Sequence, residues 1–365
     1  MKRYGNIYPK IYEYQNLQQA HYNARKGKGF YSEVQMVNAN EKHYLTLLQD
    51  MLINKTYKTS KYHIFKIKDK GKEREIYKLP YFPDRICHWA IMQQIEFIFL
   101  NTFTNFTCAS IPNRGIHHAL RLLNKYLKDV EGTKYCLKFD IKKFFPSINH
   151  NILKQLLRKK IKDKDLLWLL DEIIDSIGGN IGIPIGNYLS QYFANFYLTY
   201  FDHWLKEEKK VKYVIRYMDD IVCLHQSKEF LHQLRKDIDI YLNDNLALKM
   251  KENWQVFPTS IRGIDFVGYR HFGNHILLRK STAKNMKRKL KKINNKYQKN
   301  ELINHSDWCC INSYIGWVSW CNGHNLYTKY IKPLEKISKE YYQKVIKKGE
   351  IYESSRFCLS WKNLD

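Results

Sequence analysis

The chain is poor in acid. Against 62 Lys and Arg it carries only 35 Asp and Glu, a formal charge of +27. Solubility alone does not require so lopsided a balance. The excess points to a polyanionic partner, nucleic acid before an anionic membrane. The chain also lacks any run of roughly 18 apolar residues, so no membrane span is expected. Its start, Met-Lys-Arg-Tyr-Gly-Asn-Ile-Tyr, has no apolar centre of the kind a secretory leader needs, and the expected location is cytoplasmic. None of the eight cysteines (Cys87, Cys108, Cys136, Cys223, Cys309, Cys310, Cys321 and Cys358) belongs to a Cys-x-x-Cys pair, which argues against a zinc finger. Several lie in apolar runs, as small core residues of a reducing compartment do. There is no low-complexity tract and no clear internal repeat. The 365 residues suffice for a large core and more than one lobe.

What is present begins with Tyr217-Met218-Asp219-Asp220, between the apolar runs Lys212-Tyr213-Val214-Ile215-Arg216 and Ile221-Val222-Cys223-Leu224. Two β-rich segments joined by a tight acidic turn read as a hairpin. By itself an Asp-Asp turn is ordinarily a solvated turn. Two neighbouring carboxylates at a structured tip nevertheless repel unless a cation joins them. A second β-type run, Lys134-Tyr135-Cys136-Leu137-Lys138-Phe139-Asp140-Ile141, ends in a third carboxylate before the basic and aromatic turn Lys142-Lys143-Phe144-Phe145-Pro146. If the two runs are neighbours in one sheet, Asp140, Asp219, Asp220 and a backbone carbonyl can bridge two Mg²⁺ roughly 4 Å apart, the arrangement that drives in-line phosphoryl displacement.

Around these runs the organisation is mixed α and β. A strand-like patch at Tyr62-His63-Ile64-Phe65-Lys66-Ile67 leads into the turn signal Asp69-Lys70-Gly71-Lys72. A helix is expected over 149–177, capped by Ser147 or Asn149 and stopped by Gly178-Gly179. Another is expected from Leu189 to Lys206. Residues 279–299 hold ten Lys or Arg and no acid, with Met286, Leu290 and Ile293 at helical spacing. An apolar seam under a basic face that includes Lys287, Arg288 and Lys291 fits a helix that tracks a duplex backbone.

Asp140-Ile-Lys-Lys-Phe-Phe and Tyr217-Met-Asp-Asp resemble motifs A and C of reverse transcriptases. Between them Gly182-Ile-Pro-Ile-Gly186-Asn-Tyr-Leu-Ser190-Gln191-Tyr-Phe-Ala-Asn195 looks like motif B, and Arg262-Gly-Ile-Asp-Phe-Val-Gly268-Tyr-Arg270 is similar to motif E, the primer grip. The resemblance covers about residues 5–335. It implies an α+β right-hand polymerase: fingers over 1–130, a palm of antiparallel sheet and packed helices over 131–270 with the 149–177 excursion, and a helical thumb over 271–365. It implies a primer 3′-hydroxyl attacking a deoxynucleotide. Two Mg²⁺ would be held by Asp140, Asp219, Asp220 and the Ile141 carbonyl.

Further roles follow by the same resemblance. Arg74 would reach the incoming triphosphate, with Lys66, Lys70 and Lys72 as looser candidates; arginine's fork suits phosphate. The Lys143 and Phe144 amides would cradle phosphate oxygens. Phe145, five residues after Asp140, would exclude a ribose 2′-hydroxyl, with Phe144 beside it in the core. Ile185 and Gly186 would face the nascent base pair. Gly268 and Tyr269 would hold the primer, and Arg114, in Arg114-Gly115-Ile116-His117-His118, the template. Those two histidines read as hydrogen-bonding helix-start residues. For the proton donor to pyrophosphate, Lys249 and Lys251 both remain open.

Motif B narrows the family. Group II intron enzymes carry Gln-Gly-x-x-x-Ser-Pro, whereas this chain has Ile185-Gly186-Asn187-Tyr188-Leu189-Ser190-Gln191, a pattern that resembles the reverse transcriptases of diversity-generating retroelements. Ala24-Arg25-Lys26-Gly27-Lys28, Pro83-Asp84-Arg85 and Ser313-Tyr314-Ile315-Gly316-Trp317 agree. The resemblance implies error-prone copying of a structured template-repeat RNA, through an RNA/DNA hybrid, with adenine-directed mistakes and a small basic accessory variability protein. Isoleucine at 185 cannot hydrogen-bond, and losing about 1 kcal/mol of discrimination costs several-fold in fidelity. The rivals are a defence-associated or retron-type enzyme with the same chemistry, and a non-catalytic maturase-like RNA-binding protein. The intact carboxylates argue against the latter.

Overall fold

The computed structural model describes residues 2–69 and 72–343. Lys70 and Gly71 of the expected hairpin turn lie outside the described residues, and so do Lys347-Lys348-Gly349 and Trp361. The architecture is α+β with antiparallel pairing. The chain divides into two compact units, one of Met1–Ala119 with Leu137–Val256 and one of Leu120–Cys136 with Phe257–Asp365.

The first unit holds an antiparallel ribbon, β1 (His63–Asp69) and β2 (Lys72–Lys78), in which Ile67 pairs with Arg74. A four-stranded sheet in the order β4-β5-β3-β6 is built from β3 (Tyr135–Asp140), β4 (Tyr213–Tyr217), β5 (Asp220–His225) and β6 (Gln255–Pro258); β4, β5, β3 from Leu137 and β6 as far as Val256 belong to the first unit. The middles of β4 and β5 are buried continuously rather than alternately. That pattern belongs to a sheet covered on both faces. Helix Lys228–Leu246, capped by the Ser227 hydroxyl, packs on β5. Helix Ile86–Leu100 is predominantly apolar and mostly buried, with Gln93, Gln94 and Glu96 half-buried and Phe97 exposed; it packs against Tyr14–Ala24 and Tyr188–Tyr197.

The single helix expected over 149–177 is two helices. Asn149 caps the first, His150–Arg158, through its side chain. The chain then leaves the helix, Ile161 bridges to Tyr4, and Asp163 caps a second helix, Lys164–Asp175. Asp163 is the interrupter, because its carboxylate also accepts from the Ile7 and Tyr8 amides. The segment expected as one helix from Leu189 to Lys206 is likewise divided at Leu198, between Tyr188–Tyr197 and Thr199–His203.

In the second unit β7 (Ile264–Phe266), β8 (Tyr269–His271) and β9 (Ile276–Leu278) form a meander. The β7–β8 turn uses positive φ at Val267 and Gly268, the type I′ pattern that suits the strand twist. A Cβ on Gly268 would stand 2.5 Å from the Trp317 ring. Helix Lys280–Gln298 matches the expectation for 279–299: Met286, Leu290 and Ile293 are buried, and it packs on helix His305–Val318. Among the described residues no helix is long and apolar enough to cross a membrane.

Candidate active site

The β4–β5 connection is the two residues Met218 and Asp219, closed by the pairing of Tyr217 with Asp220. Met218 carries the positive φ, +56°. A non-glycine residue held there costs on the order of 1 kcal/mol, and such strain persists only where surrounding contacts over-determine it. β3 lies directly beside β5, so its last residue, Asp140, ends next to this turn. The Ile141 amide donates to the Asp219 carbonyl at 3.3 Å, and the Lys251 amide donates to the Asp140 carbonyl at 2.8 Å.

Two lysines stand among the three acids. Lys251 Nζ is 3.5 Å from Asp140 Oδ2 and 3.9 Å from Asp219 Oδ2, so those oxygens are no farther apart than the two legs together. Lys138 Nζ is 3.4 Å from Asp220 Oδ1. Burial pushes the Asp219 carboxyl up, and Asp140 adds to the rise, while Lys251 and Arg74 oppose it. Burial also pushes Asp220 up, to about 6, against the pull of Lys138. Asp220 Oδ1 is sealed from solvent, and the ammonium of Lys138 is its counter-charge.

Among the described residues no three acidic, histidine or cysteine side chains are arranged as a ready-made metal cage. The donor chemistry still fits a hard divalent cation. Carboxylate oxygens are its preferred ligands, and here three carboxylates share the two ammoniums of Lys138 and Lys251 as close counter-charges.

Other residues expected at the site fall as follows. Phe144 is buried and Phe145 half-buried, their rings 5.7 Å apart and nearly perpendicular. Lys143 has φ +45° at the start of the short helix Phe144–Ser147. Arg74 is exposed on β2, and its charge is felt at Asp219. Lys66 pairs with Glu73 at 3.5 Å, Lys70 lies outside the described residues, and Lys72 is described by backbone alone. The Ile185 carbonyl accepts from the Tyr77 amide at 2.9 Å. Gly186, at φ +125°, has no room for a Cβ: it would meet the Tyr77 carbonyl oxygen at 2.8 Å. A cavity of about 230 Å³ opens there, lined by Lys28, Tyr31, Phe65, Tyr77, Arg85, His88, Gly186 and Tyr188 among others. Arg85 Nε and His88 Nε2 are buried without partners.

Arg114 is turned onto the Thr104 and Thr107 carbonyls, and His118 shares a hydrogen bond with the Asn105 carbonyl. In the second unit Tyr269 is buried, stacks on Trp317 and donates to its carbonyl. There Arg288 and Lys291 are exposed on helix Lys280–Gln298, and Lys287 lies over the Tyr330 ring. Of the two candidate proton donors only Lys251 reaches the carboxylates; Lys249 is exposed, and its carbonyl holds the Lys142 amide.

Two partners were missed in the sequence. Lys138 sits two residues before Asp140, hence on the same strand face, and that spacing was a usable signal. Arg216 is a charge inside an apolar strand, which is the other. Its side chain is fully buried and paired with the equally buried Asp202 at 2.6 Å.

A family model described as "Reverse transcriptase (RNA-dependent DNA polymerase)" matches residues 64–271, more than half of the chain. Among curated proteins, "Protein YkfC" of Escherichia coli (strain K12) is 27% identical over 135 residues, 36% of this chain and 35% of that protein. The match thus spans about a third of that relative's length. Among solved structures, apo telomerase from Candida tropicalis is similar with a TM-score of 0.48 and 14% identity, over 87% of this chain and 65% of that one. Telomerase from Candida albicans with a fragment of telomeric RNA is similar at 0.48 and 12%, over 85% and 66%.

Proposed function

Because the chain belongs to the reverse transcriptase (RNA-dependent DNA polymerase) family, we propose that it extends a DNA primer along an RNA template, with the β4–β5 turn and the end of β3 as its catalytic centre. The observation that carries this is the convergence of Asp140, Asp219 and Asp220, from two neighbouring strands, around Lys251 and Lys138. Asp140, Asp219, Asp220 and the Ile141 carbonyl would hold two divalent ions. Magnesium bound there would lower the pKa of the attacking hydroxyl and neutralise the leaving phosphates.

The chain's own residues supply the rest. Lys251 offers an ammonium beside the reacting phosphates and is the better placed proton donor to pyrophosphate. Arg74 lends positive charge from β2. The amides of Lys143 and Phe144 would face phosphate oxygens, and Phe145 the sugar. Ile185 and Gly186 lie against β2, beside a cavity whose aromatic walls and unpartnered Arg85 and His88 nitrogens fit a templating base. Fingers, palm and thumb over 1–130, 131–270 and 271–365 complete the proposed right-hand division. Gly268 and Tyr269 would hold the primer. Lys287, Arg288 and Lys291 would follow the hybrid backbone. The turn of Arg114 would lie along the template.

The finer proposal is a diversity-generating role: adenine-directed miscopying of a structured RNA, with a small basic accessory protein. It is supported by isoleucine at 185, a side chain that cannot hydrogen-bond next to the base-pair site. Primer extension on a defined RNA, followed by sequencing of the product, tests both levels. Asp219→Asn should lower extension at least about a hundredfold, since charge placed on the transition state supplies much of the acceleration; near-normal turnover removes the catalytic assignment. Errors spread evenly over the four template bases would remove the diversity-generating role alone.

A further inference from the structure

We infer that Arg216 is a positioning residue for the carboxylate turn, through a hydrogen bond to the carbonyl of the strained residue that precedes Asp219. The inference rests on the reading of that turn as the ion-binding tip.

All five N–H donors of a guanidinium are used here. Nε and Nη2 donate to the two Asp202 carboxylate oxygens at 2.7 and 2.6 Å. Nη1 and Nη2 reach Asn195 at its side-chain oxygen and its carbonyl, 3.1 and 3.3 Å. Nη1 also donates to the Met218 carbonyl at 3.1 Å. Asp202, Asn195 and Arg216 are each fully buried, so solvent does not compete for the bonds among them, while the bond to Met218 is part-buried. A planar, fully donated guanidinium has one orientation, and it sets where the Met218 carbonyl must lie.

The last bond separates positioning from plain structure. A buried ion pair that only joined helix Thr199–His203 to β4 would be complete with Asp202 and Asn195. The bond to Met218 instead grips the one positive-φ residue of the turn, whose neighbour is Asp219. It fixes the peptide plane that launches both carboxylates. Asn195 belongs to helix Tyr188–Tyr197 and also donates to the Ala109 carbonyl. The guanidinium therefore ties the turn to the helix that follows Ile185 and Gly186. Partners that orient carboxylate ligands from behind typically contribute 10- to 100-fold in ion affinity.

The test uses Mn²⁺ binding read by electron paramagnetic resonance on the protein without nucleic acid, beside melting temperature and primer extension. Removing Arg216 alone strands the Asp202 charge, so the main variant is the balanced pair Arg216→Gln with Asp202→Asn; Arg216→Lys, which keeps the charge and loses the fork, is the second. Thr107→Val removes a bond to Asp202 without touching the turn. Positioning requires that the paired variant and Arg216→Lys bind Mn²⁺ at least about tenfold more weakly and need correspondingly more divalent ion for half-maximal extension. Thr107→Val should lower the melting temperature and leave Mn²⁺ affinity unchanged. Parental Mn²⁺ affinity in whichever of the two Arg216 variants folds overturns the inference. Parental affinity in Asp219→Asn overturns instead the reading of the turn as an ion site.

Discussion

Burial of Asp220 works against the stability of the metal-free fold, and that conflict can be measured. In the folded chain its carboxyl is held up at about 6; in the unfolded chain it is near 3.9. The folded state therefore keeps this proton longer than the unfolded state does. Below about pH 4 both hold it and nothing is lost. As pH rises from about 4 to about 6 the unfolded chain releases its proton first, so stability falls, and above about pH 6 the full cost stands. Two pKa units at about 1.4 kcal/mol each set a ceiling of about 3 kcal/mol. Asp220 leaves 24% of its side chain in solvent, and Lys138 loses a partner when the carboxylate goes. A gain of about 1–2 kcal/mol is the reasonable expectation for Asp220→Asn at high pH. In chelator the variant should melt close to the parent at about pH 4.5 and a few degrees above it at about pH 8. In magnesium it should lose extension by orders of magnitude. A variant that melts below the parent by the same margin at both pH values would refute the reasoning, because the penalty would then lie in lost contacts rather than in the buried charge.

Phe145→Ala should raise ribonucleotide incorporation severalfold while deoxynucleotide extension persists; an unchanged ratio in mixed-nucleotide extension excludes the ring as the sugar gate. Ile185→Gln should reduce misincorporation opposite adenine severalfold, since a restored hydrogen bond of about 1 kcal/mol tightens the nascent pair, and sequencing of the cDNA reads it directly. Gly268→Ala should destabilise its unit by about 2–4 kcal/mol, because the turn needs positive φ and the new Cβ meets the Trp317 ring; a melting curve that matches the parent's would show that the ring yields at little cost.

Much of this is legible in the sequence alone. Strand runs placed β4, β5 and β1 within a residue or two, and the seam Met286, Leu290, Ile293 placed the basic helix. Local chemistry decides such elements, and local chemistry is written in the chain. The 149–177 helix failed for a non-local reason. Asp163 looks like a tolerable helix residue until the amides of Ile7 and Tyr8 arrive to claim its carboxylate. By resemblance Arg114 reads as a template contact, and in the structure its guanidinium holds two carbonyls of a turn seven and ten residues upstream.

The carboxylates themselves illustrate the same division. Which residues are acidic, and that they end strands, is visible in the letters. How they tolerate one another is not. Three acids beside one turn would repel, and the chain answers with lysines from two different places: Lys138 on β3 and Lys251 beyond helix Lys228–Leu246. Neither lysine is marked by spacing from the Asp-Asp pair. On the proposed reading both ammoniums occupy ground that a divalent ion would also claim, so such an ion would have to compete with them. The carboxylates must be held from behind, by the backbone, if they are to keep their places while the counter-charge in front of them changes. The Lys251 amide does this for the Asp140 carbonyl and the Ile141 amide for that of Asp219. For the turn between them, the bond that can do it comes from Arg216.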